Sequence, residues 1–363
     1  MSLLRELLSR AVEVGASDVH LVAGHPPVFR IQRELVPLEE PAWPPEQVEA
    51  IVHQLLPAHL RESFGTDFEA DFSHEEPGVG RFRVNLFRST GRCAIALRHV
   101  RTYVPSFEEL HLPPQLTALS LLPRGIVIVC GTTGCGKSTT LAAMIEHINQ
   151  HSRSRIVTIE DPIEYVFTSK HSIITQREVG LDTRSFHSAL RHVLRQDPDV
   201  IMIGEMRDGE SFQAALTAAQ TGHLVLTTLH TGTAAQVVHR ILDFFPSSER
   251  DSIRMALAEN FRAAICQRLV PAVDGSVRPA VEILINTPTV RKLLEQNRLD
   301  KLSAAIETGG EDGMQTFNQA LHALVRAGEI TEEVALQYAD NPESLRMNLR
   351  GIFLDESRRI LSP

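Results

Sequence analysis

Leu3, Leu4, Leu7, Leu8 and Val12 recur at helical spacing, with Arg5, Glu6, Arg10 and Glu13 interrupting them. That pattern predicts an amphipathic helix with one core-facing stripe. The stretches DVHLVAG, PPVFRIQRELVPL and RFRVNLFRSTGRCAIALRHV instead alternate apolar and polar residues with period two, as half-buried antiparallel strands do. Between them, QVEAIVHQLLPAHLRESF reads as one helix. Together these pieces predict a small α+β domain over residues 1–98. Pro105, Pro113, Pro114 and Pro123 follow, and this density of prolines predicts a linker over residues 99–113.

From residue 114 the pattern changes. GIVIVC, RIVTIED, VIMIGE and HLVLTTLH are short, almost wholly apolar runs, separated by the helical stretches TTLAAMIEHINQ, FHSALRHVLRQ and GESFQAALTAAQTG. Apolar strands alternating with helices predict an α/β fold with a mostly parallel sheet covered on both faces. After Pro288, TVRKLLEQN and QTFNQALHALVRAG continue the domain as helices to residue 363.

The chain has 363 residues, enough for two domains. Its net charge of -9 is a poor match to a nucleic-acid backbone, so no nucleic-acid partner is expected. Cys93, Cys130, Cys135 and Cys266 form no C-x-x-C pair, which argues against structural zinc and a disulfide framework and points to a reducing compartment. The charged residues of the first helix break any signal-peptide core. No apolar run approaches the roughly 20 residues of a transmembrane segment. The expected location is the cytoplasm, with any membrane machine met from outside the bilayer.

The chemistry begins at Gly131-Thr132-Thr133-Gly134-Cys135-Gly136-Lys137-Ser138-Thr139. This glycine-rich loop follows an apolar strand and opens a helix, the setting a Walker A phosphate cradle requires. Backbone N–H groups would turn onto phosphate oxygens, Lys137 would reach the β- and γ-phosphates of ATP, and Ser138 would ligate Mg²⁺. Cys135 is read as a small filler residue. Glu205 ends the apolar strand in VIMIGEMRD, where a carboxylate can orient the attacking water; a structural pair with Arg207 is the plainer alternative. Glu160, Asp161 and Glu164 form an acidic cluster in TIEDPIEYVF, suited to Mg²⁺ contact through water, with Asp161 also able to cap a helix from Pro162. His223 and His230 lie seven residues apart, on opposite faces of an ideal strand, so they are not expected to share a metal. His230, at the strand's C-terminal end, is placed to sense the γ-phosphate.

In order and spacing, GTTGCGKSTT, TIEDPIEYVF, LRQDPDVIMIGEMRD and TGHLVLTTLHT resemble the Walker A, Asp box, Walker B and His box of the type II secretion and type IV pilus ATPases, closest to the PilT-type retraction enzymes. GASDVHLVAGHPPVFR and GRFRVNLF resemble that family's PAS-like N-terminal domain, and TGGEDGMQTFNQAL its C-terminal helical region. The resemblance implies a RecA-like P-loop core and a homohexamer. ATP would be held between the N-terminal and RecA-like domains, with Arg81 and Arg83 completing the site. It counts His223 with the nucleotide-binding residues and marks Arg195, Arg207, Arg240 and Arg278. It implies a PilC-like inner-membrane platform protein as partner, at the pilus base, and a paralogous pilus ATPase as a second one. The tetracysteine element of extension and secretion ATPases is missing, which favours pilus retraction and twitching motility over extension. TVRKLLEQ stands where retraction enzymes carry AIRNLIRE, a departure that admits an accessory PilU-like paralogue or a nucleotide-gated scaffold.

Overall fold

The N-terminal helix forms over Leu3–Glu13, capped by the Ser2 hydroxyl, and buries Leu4, Leu7, Leu8 and Ala11. It opens a computed structural model that describes residues 2–32 and 34–352. Arg33, inside the second predicted strand segment, and residues 353–363 of the expected ATPase domain lie outside the described residues. Two compact units divide the chain between Tyr103 and Val104, and the first also takes in Pro162–Val166 and Gly180–Asp182. No sequence signal announces those two excursions.

The first unit holds a six-stranded antiparallel sheet. Its strands are β1 (Asp18–Val22), β2 (Val28–Ile31), β3 (Glu34–Pro37), β4 (Glu69–Glu76), β5 (Gly80–Ser89) and β6 (Arg92–His99), in the order β3-β2-β1-β6-β5-β4. Phe82, Val84 and Leu86 alternate inward along β5 and join one core with Leu7, Leu8, Ile51 and Leu55. The helix expected over QVEAIVHQLLPAHLRESF is broken. It runs Pro45–Leu55 and resumes as Arg61–Asp67 after a 3-10 turn. Pro57 is the cause: it lacks an N–H, and it pushes Leu56 to an extended ψ of 113°. Strand β4 was not anticipated because EADFSHEE is too polar to show an apolar rhythm.

The second unit is built on a seven-stranded sheet of order β13-β12-β7-β11-β10-β8-β9. These strands are β7 (Gly125–Cys130), β8 (Arg155–Glu160), β9 (Ile173–Glu178), β10 (Val200–Ile203), β11 (Leu224–Leu229), β12 (Phe261–Pro271) and β13 (Val277–Ile285). Every neighbouring pair is parallel except β12–β13. All six residues of β7 are buried. Ile126 and Ile128 pack with Phe212 and Leu216 on one face, while Val127 and Val129 pack with Leu141, Met144 and Ile145 on the other. Each such side chain contributes about 1.5–3 kcal/mol relative to exposure, so this central strand fixes where its following loop begins.

The tail is helical, as its periodicity predicts: Pro288–Glu295, Leu302–Thr308, Phe317–Arg326, Glu332–Tyr338 and Pro342–Leu349. In the first of these, Val290 and Leu294 are buried while Arg291, Lys292 and Glu295 are exposed. The departures from AIRNLIRE thus alter a surface and leave the helix intact. Among the described residues no helix is long and apolar enough to cross a membrane.

Candidate active site

The loop 131–136 leaves β7 at the middle of the second sheet and runs into the helix Lys137–His151. Its sharp course rests on glycine. Gly131 has φ +140°, and a Cβ there would meet the Gln267 carbonyl at 2.5 Å and Cys135 Sγ at 2.6 Å. Gly136, at φ +92°, would meet Gln267 Nε2 at 2.8 Å. Any side chain at either position would displace the loop. Thr132, Thr133, Gly134 and Ser138 are exposed, and Thr139 is half-buried at the helix start. Cys135 is buried and burial pushes its thiol up, so it fills space as the sequence implied and is no nucleophile.

Gln267, on the adjacent strand β12, is a residue that motif reading missed. It is 2% exposed, its Nε2 donates to the Cys135 carbonyl, and its Oε1 accepts from Thr140 Oγ1 at 2.8 Å. It thus ties the loop's last turn to the helix's first from below. The only hint in the sequence is a polar pair, Gln267-Arg268, inside the apolar run FRAAICQRLV.

The predicted chemical groups converge at the C-terminal ends of β7, β10 and β11. Lys137 Nζ donates to the Gly131 and Thr132 carbonyls at 3.0 Å each and lies 3.5 Å from His230 Nδ1. His230 Nε2 lies 3.1 Å from Glu205 Oε1. Lysine can only donate, so the network assigns His230 the tautomer with its proton on Nε2, which then donates to Glu205. The other carboxylate oxygen, Oε2, accepts from Arg207 Nε at 3.1 Å and Nη2 at 2.9 Å. The Arg207 pair therefore exists alongside the histidine contact, each using one oxygen. The turn carrying Glu205 is pinned on both sides: Gly204 N–H donates to the Ile159 carbonyl, Thr228 Oγ1 to the Gly204 carbonyl, and Met206 N–H to the Thr228 carbonyl.

The acidic cluster is split. Glu160, at the end of β8, is buried, and its Oε1 accepts from Thr158 Oγ1 at 2.6 Å and Gln176 Nε2 at 3.1 Å. Asp161 is exposed and its charge helps raise the Arg207 pKa, behind the larger effect of Glu205. No helix follows Pro162, so Asp161 caps none. Glu164 lies on Pro162–Val166, which belongs to the first unit. There Arg101 Nη1 donates to the Tyr165 hydroxyl at 3.2 Å, and the Val166 N–H donates to the Arg101 carbonyl. Those bonds anchor the residues on the C-terminal side of Glu164 to Arg101.

His223 is also not brought to the loop. Its neighbour Leu224 pairs with Gly125 at the start of β7, and Leu229 with Cys130 at its end. His223 therefore stands at the far end of the sheet from Gly131, where its Nδ1 lies 2.9 Å from the Ala218 carbonyl. Within one chain it stands apart from the phosphate loop. Arg278 is likewise engaged elsewhere, with Glu329, Asp274 and Ser276. Arg240 lies over the Phe244 ring, 5.1 Å from its centroid. Arg81 and Arg83 lie on β5 of the first unit, on the side opposite Phe82 and Val84, with Arg83 Nη2 4.0 Å from Asp71 Oδ1.

Among the described residues no group of three or more His, Cys, Asp or Glu side chains could cage a metal. The donors present, an exposed Ser138 hydroxyl and the carboxylates of Glu160 and Glu205, suit Mg²⁺ that arrives with the nucleotide. This ion keeps several waters and takes phosphate oxygens rather than a protein cage.

Fold and site together define a RecA-like P-loop ATPase. A family model described as "Type II/IV secretion system protein" matches residues 80–348. The type IV pilus retraction ATPase PilT of Pseudomonas aeruginosa is 43% identical over 341 residues, covering 94% of this chain and 99% of the relative. The type IV pilus ATPase PilU of the same organism is 43% identical over 346 residues, covering 95% and 91%. The crystal structure of the pilus retraction motor PilT with bound ADP superposes with a TM-score of 0.88 at 42% identity, covering 95% of this chain and 99% of that one. The chain belongs to the type II/IV secretion ATPase family, among its PilT-type members, and binds nucleotide.

Proposed function

We propose that this ATPase is a pilus retraction motor: a homohexamer that turns ATP hydrolysis into relative movement of its units and works on a PilC-like platform protein at the inner membrane. The supporting observation is the hydrogen-bonded run from Lys137 through His230 to Glu205, which links the phosphate lysine to a carboxylate at the strand ends. When ATP enters, Lys137 exchanges the Gly131 and Thr132 carbonyls for β- and γ-phosphate oxygens, and His230 loses its cationic neighbour and reports the γ-phosphate. Thr132, Thr133, Gly134 and Thr139 present the loop's backbone to the phosphates. Glu205 Oε1 orients the attacking water while Arg207 fixes the carboxylate through Oε2. A bond forms from water oxygen to the γ-phosphorus as the bond to the ADP oxygen breaks, and the water's proton passes to the released phosphate or to Glu205. Ser138, with Glu160 and Glu205 through water, would hold Mg²⁺, which when bound neutralises the charge gathering on the phosphate oxygens. Arg81 and Arg83 of a neighbouring subunit supply the guanidinium fork that a single chain's loop lacks.

A second reading, an accessory PilU-like ATPase, is favoured by the equal identity to PilU and by the exposed Lys292 and Glu295 on the altered helix. Deletion in the host with microscopy of pili separates the two. Hyperpiliated cells that cannot retract, restored by the intact gene but not by Glu205→Gln, support the motor. Normal retraction in the deletion strain, lost only when a second pilus ATPase is also removed, means the accessory role. Bald cells overturn both.

A further inference from the structure

Strand β12 braces the site from two sides. Gln267 turns to the Walker A loop, while Cys266 and Arg268, its neighbours in sequence, turn to the loop after β11. The Cys266 thiol donates to the Thr231 carbonyl at 3.6 Å, and Arg268 Nη2 donates to the Gly232 carbonyl at 3.1 Å. Glu282, paired with Cys266 across β12–β13, accepts the Ala234 N–H at 2.5 Å. Three of the four residues after His230 are therefore gripped through their backbone. Holding that backbone sets the angle at which the His230 ring reaches Lys137 and Glu205.

Arg268 has a second set of partners in the helical tail. Its Nη1 donates to the Tyr338 carbonyl at 2.9 Å, its Nη2 lies 2.7 Å from Asp340 Oδ1, and its guanidinium sits 3.8 Å from the Phe317 ring centroid. One planar group thus joins the His230 loop to two tail segments, a task that lysine, a point charge on a flexible stem, cannot reproduce.

We propose that Arg268 is a positioning residue through which the C-terminal helices set the pose of the His230 loop and so the rate of ATP hydrolysis. This rests on hydrolysis at the Glu205 site. A shift of the tail that withdraws Asp340 leaves Nη2 free to move off Gly232, and the loop loses one of its three holds. Turnover then responds to the state of the tail with no change at the phosphate loop itself.

The test uses the full-length chain with Arg268→Gln, Arg268→Lys, Asp340→Asn and the Arg268→Gln/Asp340→Asn pair, measuring kcat, KM for ATP, ADP affinity and melting temperature. Arg268→Gln is expected to lower kcat about tenfold with KM and ADP affinity within about twofold, a loss confined to the transition state. Arg268→Lys should recover little of this, Asp340→Asn should lower kcat by about threefold, and the pair should be no slower than Arg268→Gln alone, since both act through one contact. An unchanged kcat in Arg268→Gln, fully multiplicative effects in the pair, or parallel losses of kcat and ADP affinity would each overturn the proposal. If Arg268→Gln does not fold, the half-exposed Asp340→Asn decides alone, and an unchanged kcat there sinks the idea. Glu205→Gln, run beside them, separates this outcome from failure of the site: if it still turns over, the hydrolytic assignment is what has failed.

Discussion

Replacing Gln267 with alanine removes two hydrogen bonds from beneath the Walker A loop and leaves the Cys135 carbonyl and the Thr140 hydroxyl without that partner in a buried site. An abandoned buried polar group costs about 1–3 kcal/mol. The lost side-chain volume adds a cavity cost that is partly relieved by collapse. The sum is on the order of 3–5 kcal/mol, placed entirely on the junction between loop and helix. Part of it appears as lower global stability. The rest appears as a loop that must be ordered by its ligand, so that nucleotide binding carries the ordering cost. If about 1.4–2.8 kcal/mol falls on binding, affinity drops roughly ten- to a hundredfold. Titration of a fluorescent ADP analogue, with thermal melting of the same samples, measures both parts. Gln267→Glu should be at least as damaging, since the carboxylate can accept from Thr140 but cannot donate to Cys135, and it brings negative charge towards the phosphates. A Gln267→Ala protein that melts at a lower temperature yet binds ADP as tightly as the parent would refute the reasoning, because the residue would then support the fold and not the loop.

Glu282 yields a prediction in pH. Burial, aided by Asp340 and opposed by the Ala234 N–H and Arg268, raises its pKa to about 7 from 4.5. A raised carboxyl pKa means a contribution to stability that is fully present below pH 4.5 and lost as pH climbs through 7. Glu282→Gln should therefore gain on the parent protein as pH rises, by on the order of 3 kcal/mol between the two limits. Urea unfolding at several pH values reads this directly, and parallel stability curves for the two proteins would contradict it. His223→Ala, at the sheet end remote from Gly131, should leave nucleotide affinity within about twofold; a tenfold loss would restore the residue to the binding site.

The parts of this protein that read clearly from sequence are those in which one local rule acts alone. Strands β7, β8, β10 and β11 are apolar enough to stand out, and the Gly131–Ser138 spacing carries its own geometry. Strand β4 is polar because much of it meets water, and β12 begins at Phe261 with no loop after the helix Arg250–Asn260, so neither shows a boundary. The site was legible where residues share a strand end: Glu205 and His230 follow adjacent strands, and both reach Lys137's corner. Glu164 and His223 show where local reading stops. Proximity in sequence to Asp161 says nothing of the bonds that tie Tyr165 and Val166 to Arg101, and the resemblance groups His223 with His230 although a whole strand, Leu224–Leu229, separates them. Gln267, Arg268 and Glu282 were missed because the partners that define them, backbone carbonyls and N–H groups among them, lie between about 35 and 130 residues away, where no local pattern points to them.

The most direct test of the motor reading asks whether one subunit's loop is completed by another subunit's arginines. Lys137→Ala and an Arg81→Ala/Arg83→Ala double variant are each expected to hydrolyse almost no ATP alone. Co-assembled in equal amounts, they place an intact loop beside intact arginines at about one interface in four, so roughly a quarter of parental activity should return. A mixed assembly as inactive as its two parents would contradict a shared site.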